Sequence, residues 1–146
     1  MNKKTVLIVD DEKGFIEALE DALVYEGSIV LKAVTAEEAL RILKKEHVDL
    51  VTVDIMMPPG RSLESQADSH RTGIVLCRTI KKLYPRIDIF CISVVSDIDT
   101  IREVQGIGVR FFRKGETPLR TILNMIRSKL TGIAYSTERN PKGPEL

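Results

Sequence analysis

No apolar stretch in the sequence approaches the roughly 20 residues that cross a bilayer as a helix, so a helical membrane span is not expected. The N-terminal "MNKKTVLIVDD" lacks the small-residue cleavage site of a secretory signal, because acids follow only a short apolar run, and a cytoplasmic protein is expected. Net charge is nearly absent as well. The 22 Lys and Arg oppose 21 Asp and Glu, and a formal charge of +1 supplies no global field toward nucleic acid or an anionic membrane. Cysteine is scarce: Cys77 and Cys91 sit inside apolar patterns, with no CxxC spacing and no paired histidine, which reads as buried, reduced thiols. Low-complexity segments and internal repeats are missing too.

What is present suffices for one core. At 146 residues and 43% hydrophobic content, a single packed domain is expected. Short β-branched runs at 5–9 ("TVLIV"), 28–34, 48–54, 87–93 and 108–112 alternate with helical patterns at 13–25, 35–47, 73–85, 98–104 and 117–130. Thr35 and Glu38 stand at capping-box spacing, Pro85 ends the third helix, and Pro118 is placed near the first turn of the last. Five such units imply an α/β fold with an open, doubly wound parallel sheet of order 2-1-3-4-5, flavodoxin-like, rather than an eight-unit barrel. The domain is expected to span 1–131, with a long loop at 59–72, and 132–146 is read as a tail or linker stub.

In such sheets ligands bind beyond the carboxyl ends of the strands. Those ends carry Asp10 and Asp11 after the first strand, Asp54 after the third, Ser93 on the fourth, and Phe111 to Lys114 on the fifth. Two carboxylates about 5 Å apart repel by roughly 3 kcal/mol at an effective dielectric near 20, so three together call for a cation or a proton. A hard, all-oxygen cluster suits Mg²⁺, with Lys114 and Ser93 free to bind further oxygens of a phosphoryl group. The chemistry indicated is phosphoryl transfer to or from a carboxylate, with Asp54 as nucleophile.

The pieces "VLIVDDE" (6–12), "DLVTVDIMMP" (49–58), "IFCIS" (89–93) and "VRFFRKG" (109–115) stand in the order of a known family. Over about residues 4 to 130 the chain resembles the CheY-like receiver domain of two-component response regulators. The resemblance implies that Asp10 and Asp11 are the acidic pair for Mg²⁺, that Asp54 is the phospho-acceptor and a metal ligand, and that the backbone carbonyl of Met56 is a further ligand. It implies that Ser93 is the switch hydroxyl, Phe111 the switch aromatic and Lys114 the phosphate-binding lysine. A histidine kinase or phosphotransfer protein would donate to Asp54. Movement of Ser93 and Phe111 would then remodel the face of the fourth helix, fifth strand and fifth helix toward a protein target, an output domain or a second copy.

Three features depart from the family's pattern. Gly115 stands where proline usually follows the lysine, so a trans bond or a rearranged loop is expected there. Val94 follows Ser93 where a small residue is usual, and its branched side chain is expected to narrow access to Asp54. Pro58 and Gly73 are separated by "PGRSLESQADSHRT", which is either a mobile polar loop or a lid presenting Arg61, Asp68, His70 or Arg71 to a partner. His47 is expected to do no more than favour a helix dipole. Beside the phosphorylated receiver stand two other readings. One is a phosphorylation-independent adaptor. The other is a Mg²⁺-dependent aspartyl-phosphate phosphohydrolase, disfavoured because Met56 occupies the place of its second acid. No output domain follows the receiver, so the chain is expected to act alone or to be the receiver portion of a longer protein.

Overall fold

A computed structural model describes residues 3–57, 60 and 71–132. Within them the chain runs β1 (Thr5–Val9), α1 (Lys13–Tyr25), β2 (Ile29–Ala33), α2 (Ala36–Lys45), β3 (Leu50–Val53), α3 (Thr72–Leu83), β4 (Asp88–Ser93), α4 (Ile98–Gly106), β5 (Arg110–Arg113) and α5 (Leu119–Thr131). The strands form one parallel sheet in the order β2-β1-β3-β4-β5. The doubly wound architecture expected from the alternation is the one observed.

Strand periodicity divides the core. Val6, Ile8, Leu50, Phe90, Ile92 and Phe112 point to the side covered by α1 and α5, where Leu19, Leu23, Ile122 and Ile126 meet them. Leu7, Val9, Val51, Val53, Ile89 and Cys91 point to the other side, against Ala39 and Leu43 of α2, Ile74 and Ile80 of α3, and Val104 of α4. Both faces of β1 and β3 are therefore buried along their whole length, which is why those strands read as unbroken apolar runs. Both cysteines are free and buried, and burial pushes the Cys77 thiol up to about 12.

Boundaries shift where local chemistry overrides the apolar pattern. The last strand starts at Arg110 rather than 108, because Gly108, at φ 94°, closes α4 through its N–H to the carbonyl of Gln105. Gly27, at φ 95°, similarly ends α1 and delays β2 to Ile29. Pro118 is the N-cap residue of α5 and precedes its first turn. At α2 the Thr35 hydroxyl accepts from the Glu38 N–H at 3.1 Å, as the spacing predicts, but the Glu38 carboxylate reaches back to the N–H of Val34 instead of that of Thr35. His47 lies beyond α2, which ends at Lys45, and its Nε2 meets Asp49 Oδ1 at 3.1 Å, so it answers a side chain rather than a dipole. Pro58, residues 59 and 61–70 of the long loop, and residues 133–146 lie outside the described residues.

Candidate phosphoryl-acceptor site

The last sheet hydrogen bonds hold the site's main chain. Asp10 N–H donates to the carbonyl of Ala33 at 3.1 Å, Asp54 N–H to that of Val9 at 3.0 Å, and Lys114 N–H to that of Ser93 at 2.8 Å. Asp10, Asp54 and Lys114 thus each begin one residue past a strand, β1 and β3 in the interior of the sheet and β5 at its edge, with the main chain still tied to the neighbouring strand. From the opposite side α3 presses close. The Gly73 N–H donates to the carbonyl of Ile55 at 2.8 Å, and a Cβ at position 73 would lie 2.1 Å from the Asp54 carbonyl oxygen. Only glycine lets the helix start there.

Oxygen atoms of Asp10, Asp11 and Asp54 lie within 4.8 Å of one another. Asp10 and Asp54 are buried while Asp11 is exposed. Asp10 accepts from the Glu12 N–H through Oδ1 at 2.9 Å and from Lys114 Nζ through Oδ2 at 2.9 Å. The same ammonium is 3.1 Å from Glu12 and 3.7 Å from Asp54. The Ser93 hydroxyl donates to the Asp54 carboxylate and accepts from the Val95 N–H at 3.4 Å. Burial raises the Asp10 carboxyl above its ordinary value despite Lys114, and burial likewise raises Asp54 against the opposing effects of Lys114, Ser93 and the Met56 N–H. For Lys114 burial acts downward, but the bond to Asp10 and the Asp54 charge outweigh it and hold the ammonium charged.

These side chains hold more negative charge than one lysine balances, in an all-oxygen donor set open to solvent at Asp11. A hard divalent cation fits that set. The main chain at Met56 follows the acceptor directly, its N–H turned to Asp54 Oδ1 at 3.4 Å. Chemically the cluster is suited to placing a phosphoryl group on Asp54, with Lys114 and Ser93 beside the oxygens it would bring.

Asp10, Asp11, Asp54, Ser93 and Lys114 converge. Phe111 does not join them: it is half-buried in β5 against the cluster containing Cys91, Val104 and Val109, and it borders a groove of about 660 Å³ with Arg110 and Lys129. Val94, next to Ser93, is exposed, as is Met56, two residues after Asp54. The peptide bond between Lys114 and Gly115 is trans, and Gly115 takes φ 90°. Arg71 pairs with Glu103 of α4 at 2.6 Å, a carboxylate that Arg78 shares at 3.0 Å. Arg61, Asp68 and His70 lie outside the described residues. Two neighbours of Lys114 escaped the sequence reading, Glu12 and Phe15, whose ring centroid is 4.6 Å from Nζ. The acidic run 10–12 was a signal for the first; nothing in the apolar pattern of α1 distinguished the second.

With a buried carboxylate pair after β1 and β3, at the topological switch point, and a lysine reaching it from the end of β5, the chain is one of the doubly wound α/β domains that carry a ligand site at that point. Within that class the family model of the response regulator receiver domain matches residues 6–127, and the chain belongs to that family as a receiver domain of two-component signalling. The chain is similar to the receiver domain protein (CheY-like) of Methanospirillum hungatei JF-1, with a TM-score of 0.76 and 24% identity over 90% of this chain and 96% of that one. It is also similar to a Burkholderia pseudomallei response regulator with a phosphorylated aspartic acid, calcium ion and citrate, with a TM-score of 0.70 and 23% identity over 89% of this chain and 70% of that one. A curated relative, the probable transcriptional regulator ycf27 of Porphyridium aerugineum, is 45% identical over 58 residues. That match covers 40% of this chain and 24% of the relative's length.

Proposed function

We propose that Asp54 accepts a phosphoryl group from the phosphohistidine of a histidine kinase or phosphotransfer protein, in the cytoplasm, with Mg²⁺ bound by Asp10, Asp11, Asp54 and the Met56 carbonyl. The observation that carries the reading is the position of Lys114, which bonds Asp10 and stands 3.7 Å from Asp54 while the Ser93 hydroxyl approaches the same carboxylate. In the transfer an Asp54 oxygen attacks phosphorus, the new O–P bond forms as the P–N bond to the imidazole breaks, and the imidazole leaves with its electron pair. Bound Mg²⁺ would supply neutralisation of the phosphoryl oxygens. Lys114 holds a second oxygen by its ammonium, and Ser93 turns its hydroxyl from the carboxylate to a third.

The Ser93 movement is the step that signals. The backbone of Ser93 is joined to β5 through Lys114 N–H, so a shift at the end of β4 is transmitted to the strand that carries Phe111. Phe111 is then the switch aromatic, and the face of α4, β5 and α5 is the one presented to a target protein, an output domain or a second copy. No direct nucleic-acid contact and no independent turnover are assigned to residues 1–131, and 132–146 are read as a tail or linker stub. The position two residues after Asp54 holds Met56, which cannot protonate a leaving group.

The test is the intact mass of the protein after incubation with acetyl phosphate, with Mg²⁺ and with chelator, for wild type and Asp54→Ala. A Mg²⁺-dependent phosphoryl adduct that the variant lacks is expected. An adduct that persists in Asp54→Ala at another residue overturns the assignment of the acceptor, and no adduct under any condition favours a phosphorylation-independent adaptor.

A further inference from the structure

Lys114 is followed by a residue that does nothing to stiffen it. Gly115 sits at φ 90° with nothing within 4 Å of where a Cβ would be, so the loop after the lysine is not packed there. The root of Lys114 is fixed by its N–H on Ser93, but its long side chain needs a second hold if Nζ is to stay between Asp10 and Asp54. Helix α1 presents one. Its N-cap residue Glu12 makes no capping bond with its side chain and instead directs its carboxylate to Lys114 at 3.1 Å. One turn on, Phe15 places the Lys114 ammonium 4.6 Å from its ring centroid. Phe15 also packs against the core cluster that α1 shares with α5, which gives the side chain a hold besides the lysine.

We propose that Phe15 is a positioning residue for phosphoryl binding: its ring face holds the Lys114 ammonium in place, so that the charge is already oriented when phosphate arrives on Asp54. The inference rests on the reading of Asp54 and Lys114 given above. A cation over a ring face is stabilised by the ring's quadrupole, most strongly where water is excluded, and the Lys114 side chain is only 11% exposed. Glu12 contributes charge but is itself largely exposed, so it orients less firmly than the ring. An aliphatic side chain at position 15 would fill the space and leave the ammonium held only by its carboxylate neighbours, free to settle toward Asp10 and Glu12.

The test uses the full chain with ¹³C-labelled lysine and the phosphoryl mimic beryllofluoride in Mg²⁺. In the wild type the Lys114 ε-protons are expected upfield, shifted by the ring current, and Phe15→Leu should return them to the position of the surface lysines. Beryllofluoride binding should weaken by roughly three- to thirtyfold in Phe15→Leu, recover in Phe15→Tyr, and not weaken further when Phe15→Leu is added to Lys114→Met. Unshifted ε-protons in the wild type, no recovery with tyrosine, or an equal loss in the Lys114→Met background each overturns the proposal. If wild type binds no beryllofluoride at all, the phosphoryl reading fails while the ε-proton measurement still decides whether the ring holds the lysine.

Discussion

Replacing the acceptor should stabilise the resting protein. Asp54 is 6% exposed, and its oxygen lies within 4.8 Å of Asp10 and Asp11. At an effective dielectric near 20, the charge of Asp10 repels that of Asp54 by roughly 3.5 kcal/mol, and Lys114 at 3.7 Å attracts it by roughly 4.5 kcal/mol. Those two nearly offset, and repulsion from exposed Asp11 is weakened by solvent. The desolvation of the buried carboxylate therefore sets the sign, which is why its pKa is raised above 3.8. A raised acid contributes stability that is full below its unfolded pKa and is lost as pH rises through the folded one. Asp54→Asn removes that loss, and a gain of about 1–3 kcal/mol is expected at neutral pH, or roughly 3–10 °C in melting temperature. The assay is thermal unfolding by circular dichroism in chelator, across a series from about pH 8 to about pH 4. The gain should shrink as pH falls, because protonation of the wild-type carboxyl removes the desolvation cost that asparagine avoids. A variant no more stable than wild type at neutral pH, or a gain that does not change with pH, refutes the reasoning.

Further outcomes follow from the same geometry. Mg²⁺ should raise the wild-type melting temperature in proportion to the logarithm of its concentration above the dissociation constant, and chelator should reverse it; Asp10→Asn should abolish the shift, as thermal titration would show. Gly73→Ala drives a methyl group to within 2.1 Å of the Asp54 carbonyl oxygen and should cost about 3 kcal/mol or more in urea unfolding, with labelling of Asp54 lost in whatever fraction still folds. Thr35→Ala removes the oxygen that caps α2 and should cost about 1 kcal/mol by the same method while leaving labelling unchanged, because that hydroxyl serves the Glu38 N–H of α2 rather than the acidic cluster.

The cap at Thr35 and the clash at Gly73 mark two kinds of legibility. Thr35, Glu38 and the apolar spacing of α2 act within one turn, so their meaning is written in adjacent residues. Gly73 is a glycine for a reason 19 positions away, just past β3, where the main chain of Asp54 leaves no room for a side chain. The bond from Gly73 N–H to Ile55, at 2.8 Å, likewise joins residues far apart in the sequence, and it fixes the start of α3 beside the end of β3.

Element order, parallel topology and the acidic run were determined by the sequence itself, since strand alternation, helix periodicity and capping are local and the switch-point rule then selects which loops share an edge. Residues 10, 11, 54, 93 and 114 were legible on that basis. Only the tertiary structure decided where strands begin beside Gly27 and Gly108, that the Glu12 carboxylate serves Lys114 rather than its own helix, and that Phe15 places its ring beside that lysine. The physical reason is sequence separation. Phe15 and Lys114 are brought together by the packing of α1 beside β1 and the end of β5, and a contact between residues so far apart in the chain is set by three-dimensional packing that no local pattern encodes.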